Sequence, residues 1–360
     1  MKKSILIINI ISAICLILCF FFRNTSPETN ILFALIPFAF FILLAINIVF
    51  FVFWLIVKWK FTLISLISII ITFSNIINFL PIKSYLSFEN KDSTYAKIMS
   101  YNVNVFGLYN WHNTKIKPNI LKIISEENPD ILCLQEAFWS GDKNYFITID
   151  SILINLKTKH SYQFALSTAI GKQNFGLVII SKYKIINSYS EKFEASNNGF
   201  CFVDILKDKD TVRIYNLHLQ SMGLVQDDYT KIEKISNVDS LTADIKDASG
   251  LLKKYLESCK LRIKQAEVVR QNINDCKYPL IVCGDFNDFP LSYTYNTIRN
   301  DLKDAYLQRG NIKDYTWKYN KLKLRIDNIF YSDNFKCQKY YIIKQDFSDH
   351  YAVVALLTNI

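Results

Sequence analysis

The chain has 360 residues, 51% of them hydrophobic, with 27 Phe but only 9 Gly, and a formal charge of +10. Five of the 42 basic residues and one of the 32 acidic ones fall within residues 1–80, which leaves 37 against 31 in the following 280. So mild a surplus suits an anionic substrate or an anionic lipid surface and does not require nucleic acid. Eight Cys with no CxxC spacing argue against a structural zinc site.

Three uncharged stretches come first. Ser4 to Phe22 is 19 residues, Ile31 to Val57 is 27 and Phe61 to Leu80 is 20, each long enough to cross a hydrocarbon core of about 30 Å. Residues 1–80 therefore read as three transmembrane helices, the third carrying Ser65, Ser68, Thr72, Ser74, Asn75 and Asn78 to pack against the others. Lys2 and Lys3 could open a signal peptide, but no small-residue cleavage site follows and two further spans come next. Lys2, Lys3, Lys58 and Lys60 should stay cytoplasmic, so an odd number of spans puts the C-terminal domain outside an inner (cytoplasmic) membrane.

Residues 81–96 mix Pro, Ser, Asn and charge and read as a linker. Residues 97–360 make one large domain, well able to bury a core. A strand is expected at 97–106, a helix at 116–127 stopped by Pro129, and a buried strand ILCLQE at 131–136. A helix over 146–156 and strands at 161–167 and 175–181 follow, then a hairpin over 200–221 whose second arm ends near His218. Residues 223–245 are polar and irregular. Leu251 to Asn274 has the pattern of a long amphipathic helix. It leads to LIVCGDFND (280–288), four apolar residues after Pro279 and then a turn at Gly284 that presents Asp285, Asn287 and Asp288. In layered α/β proteins the carboxyl ends of buried strands are where ligands bind. A helix near 292–300, a strand pair TWKY and LRIDNIFYS, and a last strand at 350–357 complete the chain, with no solenoid period. Cys133 and Cys283 lie inside buried strands, while Cys201, Cys259, Cys276 and Cys337 could pair if the domain is extracytoplasmic.

Several strands end on, or run into, polar groups: Asn102, Glu136, His218, Asp285 with Asn287, and the Asp349–His350 pair, with Asp327 inside LRIDNIF. Carboxylates and amides without a Cys cluster suit a hard cation such as Mg²⁺ or Mn²⁺, which keeps waters and substrate phosphate oxygens among its ligands. Histidines serve proton transfer or steady a phosphate oxygen in the transition state. Taken singly, Glu136 also reads as a strand-end charge, His218 as a core histidine and Asp349 as a turn residue.

Their joint order narrows the choice. SYNV (100–103), PDILCLQE (129–136), GLVIISK (176–182), NLHLQS (216–221), GDFND (284–288), RIDNIF (325–330) and SDH (348–350) occur in the sequence found in the endonuclease/exonuclease/phosphatase superfamily, which the chain closely resembles over about residues 97–358. The resemblance implies an α/β fold, a four-layered α/β sandwich of two packed mixed sheets flanked by helices, with its active site at strand ends along one edge. It implies that Glu136 is the principal metal ligand, with Asn102 close by and Asp349 reaching the same ion or a second one. Asp285, helped by Asn287, would activate the attacking water. His350, oriented by Asp327, would bind the scissile phosphate, and His218 would contact it or assist the leaving group from the other side. Asn328 departs from the family, where an aromatic residue more often follows the Asp.

The function expected is a Mg²⁺- or Mn²⁺-dependent phosphoesterase at a lipid bilayer, acting on a lipid head group, a small phosphodiester or nucleic acid, with no obligate protein partner evident. A membrane-anchored endonuclease is the nearest alternative, and a non-catalytic binding module on the same fold is the alternative from another class. A nuclease needs clustered cations, for which the 251–270 helix offers Lys253, Lys254, Lys260, Arg262, Lys264 and Arg270. A smaller phosphoester needs one or two, and Arg262 is the expected phosphate-binding cation.

Overall fold

The computed structural model describes residues 2–82, 96–110, 112–142, 148–169, 173–236, 245–320 and 322–359. Most of the expected linker, 83–95, lies outside them.

Two N-terminal helices, α1 (Lys2–Phe22) and α2 (Ile36–Val57), are long and apolar enough to cross a membrane. The expected third span is not one helix. It is divided at Thr72 into α3 (Thr62–Ile71) and α4 (Phe73–Ile77), so two helices rather than three reach spanning length. The cause is local: Ser68 Oγ donates to the carbonyl of Ser65 at 2.9 Å and Thr72 Oγ1 to that of Ser68 at 2.9 Å, bonds that compete with the helical ladder. The segment nevertheless returns antiparallel to α2, with Phe61 against Trp54 at one end (5.1 Å between ring centroids) and Phe79 against Phe41 at the other (4.5 Å). A seam of amides and hydroxyls joins the three segments: Asn9 donates to Ser65 (2.8 Å), Asn47 to Ser12 (2.9 Å) and Ser68 to Asn47 (3.2 Å).

The rest is built on two six-stranded mixed sheets. In the first, β1 (Ala96–Asn102) lies between β2 (Ile131–Ser140) and β14 (Ala352–Asn359), with β13 (Phe335–Ile343) at one edge and β4 (Gln173–Ser181) and β3 (His160–Ala169) towards the other. In the second, β5 (Lys184–Lys192), β6 (Gly199–Lys207), β7 (Asp210–His218), β8 (Leu280–Asp285), β12 (Asp327–Tyr331) and β9 (Lys303–Asp304) follow in that order.

Alternation along the strands decides what each face covers. Ile98, Cys133, Ile179, Ile214, Ile281, Cys283 and Ile329 meet between the sheets. Leu132, Leu134 and Val178 turn outward to α5 (Ile116–Glu127) and α6 (Ile149–Asn155). Tyr215, Val282 and Phe330 turn outward to α8 (Ile245–Asn274) and α9 (Tyr293–Arg299). The result is helix, sheet, sheet, helix, the four layers expected.

Several local expectations change. β5 and β13 were not foreseen, because their sequences are too polar or irregular in alternation. The polar stretch after residue 222 contains α7 (Gln226–Ser236). TWKY meets LRIDNIFYS at its first residue, Leu324, and the rest of the two segments part: β10 (Trp317–Tyr319) pairs with β11 (Leu322–Leu324), and β12 enters the second sheet between β8 and β9. All eight Cys are unpaired.

One polar group crosses the apolar interface between the sheets. Asn216 of β7 donates to the carbonyls of Leu134 (2.9 Å) and Val178 (3.0 Å) in the first sheet and accepts from Gln135 Nε2 at 2.7 Å. All these groups are buried, so an Asn216→Leu chain should lose about 2–4 kcal/mol of unfolding free energy through stranded partners. A lower thermal midpoint in detergent is the expected reading; an unchanged midpoint would show the crossing amide to be dispensable.

Candidate active site

Strand register assembles the polar residues. Parallel pairing of β7 with β8 sets His218 beside Asp285, and antiparallel pairing of β8 with β12 sets Asp327 on its other side. Such close packing needs Gly284: a Cβ there would lie 2.3 Å from the carbonyl oxygen of Leu217. In the first sheet, β1 and β2 run parallel with Asn102 opposite Gln135. A bulge between Leu134 and Ala137 then puts Glu136 at φ +48° and aims its carboxylate at the other sheet.

Asp285 is the meeting point. Its Oδ2 accepts from Asn102 Nδ2 at 3.0 Å, and the same amide donates to Glu136 Oε1 at 3.0 Å. Nε2 of His350 lies 3.5 Å and Nε2 of His218 3.8 Å from Asp285 Oδ2, and His218 Nε2 is also 3.5 Å from Glu136 Oε1. His350 Nδ1 sits 2.9 Å from Asp327 Oδ2, while Thr316 Oγ1 takes the backbone N–H of Asp327 at 3.0 Å. Asn287, at φ +50°, donates its backbone N–H to Asp285 Oδ1 (2.9 Å) and its side-chain amide to the carbonyl of Leu219 (2.9 Å).

Burial pushes the Asp285 carboxyl above the ordinary range; the His350 charge opposes that and Asp327 adds to it. Burial alone would depress His350, but Asp327 and Asp285 outweigh it and hold the imidazole well above its usual value. His218 differs: its Nε2 is buried without a hydrogen-bond partner.

Asp349 stands somewhat apart. It is exposed, accepts from Asn104 Nδ2 at 3.0 Å and from Trp317 Nε1 at 3.4 Å, and lines the same cavity as Glu136, Asp285 and His350. That cavity has a volume of about 1020 Å³. Asn104 and Trp317 were missed by the sequence reading; Asn104 belongs to the quoted strand but sits in a reversed turn at φ +40°, and nothing local marks Trp317.

Arg262 is not at the cleft. It is fully buried, with Nε 3.3 Å from Asp288 Oδ2, NH1 on the Gln220 carbonyl and Ser258 Oγ (2.9 Å each) and NH2 on Cys259 Sγ. The expectation that it binds substrate phosphate is corrected: it fastens α8 to Asp288 and to the chain at Gln220. Asn328 likewise has a local reason, since its Oδ1 accepts from Arg325 NH1 at 2.6 Å.

The family profile of the endonuclease/exonuclease/phosphatase proteins matches residues 99–350, most of the chain. The chain belongs to the endonuclease/exonuclease/phosphatase family. Members of this superfamily are hydrolases of phosphoester bonds and typically depend on a divalent metal. Residues 2–79 match a domain family of unknown function. Phospholipase C of Staphylococcus aureus is 27% identical over 158 residues, which cover 37% of this chain and 46% of that protein, so the chain spans about half the length of the curated relatives it matches. Among solved structures, a mannosyl-6-phosphatase of Bacteroides thetaiotaomicron aligns with TM-score 0.52 at 15% identity, over 73% of this chain and 99% of its own. The human Nocturnin catalytic domain aligns with TM-score 0.50 at 20% identity, over 76% and 96%. At these identities the structures share the fold.

The donor set fits a hard divalent ion. Asp285, Asp327 and His350 bring ligand atoms within 4.8 Å of one another, but Asp327 is already engaged by His350. Glu136, with 37% of its side chain exposed and Asn102 beside it, is the more open oxygen donor. For Arg262 the expected outcome of Arg262→Met is a stability loss of about 3–5 kcal/mol, because Asp288 would be left buried and unpaired. Thermal unfolding should report that loss while KM for a phosphodiester stays constant; a raised KM at unchanged stability would return Arg262 to the substrate.

Proposed function

We propose that the chain is a phosphoesterase dependent on Mg²⁺ or Mn²⁺, tethered to a membrane, that hydrolyses a phosphodiester or phosphomonoester with a water activated by Asp285. In this reading residues 1–80 form the membrane region, 81–96 the linker and 97–360 the catalytic domain. One observation carries it: an Asn amide and two imidazole Nε2 atoms converge on the single carboxylate oxygen of Asp285.

Asp285 takes the proton of the attacking water, and its raised affinity for protons is the direction a general base needs. His350, kept protonated by Asp327, donates from Nε2 to a phosphoryl oxygen and offsets the charge that grows there in the transition state. His218, with its free Nε2, serves the phosphate or leaving group from the opposite side. Asn287 holds Asp285 in orientation. Glu136, oriented by the Asn102 amide and with Asp349 lining the same cavity, would hold the ion, which supplies positive charge to the phosphoryl oxygens when bound.

The nuclease alternative is disfavoured by the partners of its candidate cations. Lys254 is bonded to Asp228, Arg262 to Asp288 and Arg270 to Asp301, so α8 offers no continuous track for consecutive phosphates. A binding module without turnover would have no need of a full set of catalytic residues.

Asp285→Asn, Glu136→Gln and His350→Ala should each lower turnover of bis-p-nitrophenyl phosphate by at least about 10²-fold with the fold intact. Near-normal turnover by Asp285→Asn would refute the mechanism. EDTA should abolish activity, and Mg²⁺ or Mn²⁺ should restore it; activity that survives EDTA removes the metal from the reaction.

The topology proposed puts the catalytic domain outside an inner membrane. Lys58 and Lys60 lie where α2 ends, and Tyr255 and Arg299 of the catalytic domain reach Ala34 and Asn78 at the other end of the bundle. A reporter fused after Ile360 should be active only outside the cytoplasm, and cytoplasmic activity would reverse the assignment.

A further inference from the structure

The cavity that holds the catalytic carboxylates does not stop at the catalytic domain. Its wall continues from Glu136, Asp285 and His350 to Phe289 and Tyr255, and then to Phe38, Phe41, Phe79 and Leu80 of the membrane bundle. The rings touch in series: Phe38 stands 4.6 Å from Phe289 and 5.3 Å from Tyr255, and Phe41 stands 4.5 Å from Phe79, centroid to centroid. The two regions are also joined through the core. Leu291, six residues after Asp285, packs with Leu16, Cys19 and Phe40 of the bundle.

We infer that the substrate is a membrane amphiphile, a phosphoester whose hydrocarbon tail lies between the chain's own membrane segments and the Phe289 loop while its phosphate reaches Asp285 and His350. The inference rests on the phosphoesterase reading and adds the substrate class. Size and chemistry support it. A cavity of about 1020 Å³ is larger than a phosphate ester alone requires, and apolar walls with a few convergent polar groups suit a ligand of matching polarity. The apolar end is built from the first turns of α2 and the residues after α4, where the bundle meets the domain, so a tail can enter from the hydrocarbon without crossing water. Hydrolysis balances in place: the water oxygen bonds to phosphorus, the bond from phosphorus to the alcohol oxygen breaks, Asp285 takes the proton that the water loses, and one proton reaches the leaving alkoxide from the His218 side or from solvent.

The test uses the full chain in amphipol and a series of alkyl phosphate monoesters from ethyl to octyl, with binding read by titration calorimetry. Affinity should rise roughly three- to fourfold for each methylene buried. Phe41→Ala and Phe289→Ala should flatten that dependence, whereas Ile56→Ala, on the exposed far end of α2, should keep it. Affinity independent of chain length in the native chain, or an identical dependence in all three variants, would overturn the inference. Turnover of bis-p-nitrophenyl phosphate is measured beside it. Turnover without chain-length dependence refutes the tail site and leaves the phosphoesterase reading standing; chain-length dependence without turnover does the reverse.

Discussion

A site assembled from two facing sheets can hold its geometry only if polar groups cross the apolar layer between them. Asn102 does so at the edge, with one amide nitrogen shared between Glu136 of its own sheet and Asp285 of the other. Asn216 does so deeper in, bonded to Gln135 and to two carbonyls of the opposite sheet. A buried amide left without partners costs about 1–3 kcal/mol, so these bonds penalise any sliding of one sheet over the other. They fix the separation of Glu136 from Asp285, and with it the width of the cavity between the two carboxylates. Gly284 serves the same end, since no side chain could stand between β7 and β8 where His218 and Asp285 are brought together.

The two histidines near Asp285 are made chemically different by what lies behind them. His350 has Asp327 at Nδ1 and Asp285 beyond Nε2, a sandwich of carboxylates that favours the imidazolium despite burial. His218 has an unpartnered Nε2 facing Glu136 and Asp285 at longer range. The distinction comes from strand register, which sets what each ring faces, rather than from residue type.

Composition marked the buried strands and the polar residues at their ends; the four-layered sandwich and the candidate site were legible through the ordered motifs that the chain shares with its family. What was not legible depends on partners distant in sequence. The bulge that aims Glu136 is invisible in ILCLQE. Arg262 looked like a cation offered to substrate because helical spacing alone does not say which face meets Asp288, twenty-six residues on. β5 and β13 carry too little alternation to separate them from loops. The third apolar segment has the length of a span, and its division at Thr72 follows from hydroxyls that bond to the preceding turn.

The apolar N-terminal helices are not attached at a distance from the candidate site. Leu291 sits in the bundle's apolar cluster, and the five residues that separate it from Asp285 include Asn287, whose backbone N–H bonds to the carboxylate, and Asp288, which is clamped by Arg262. Leu291 itself has φ +73°, a conformation costly for a branched side chain and retained only where surrounding contacts impose it. The short loop from Asp285 to Leu291 is thus anchored at one end in the core of the sandwich and at the other among the apolar helices. The bundle therefore belongs to the architecture of the candidate site: it supplies part of the cavity wall and one of the two supports of the loop that carries Asp285.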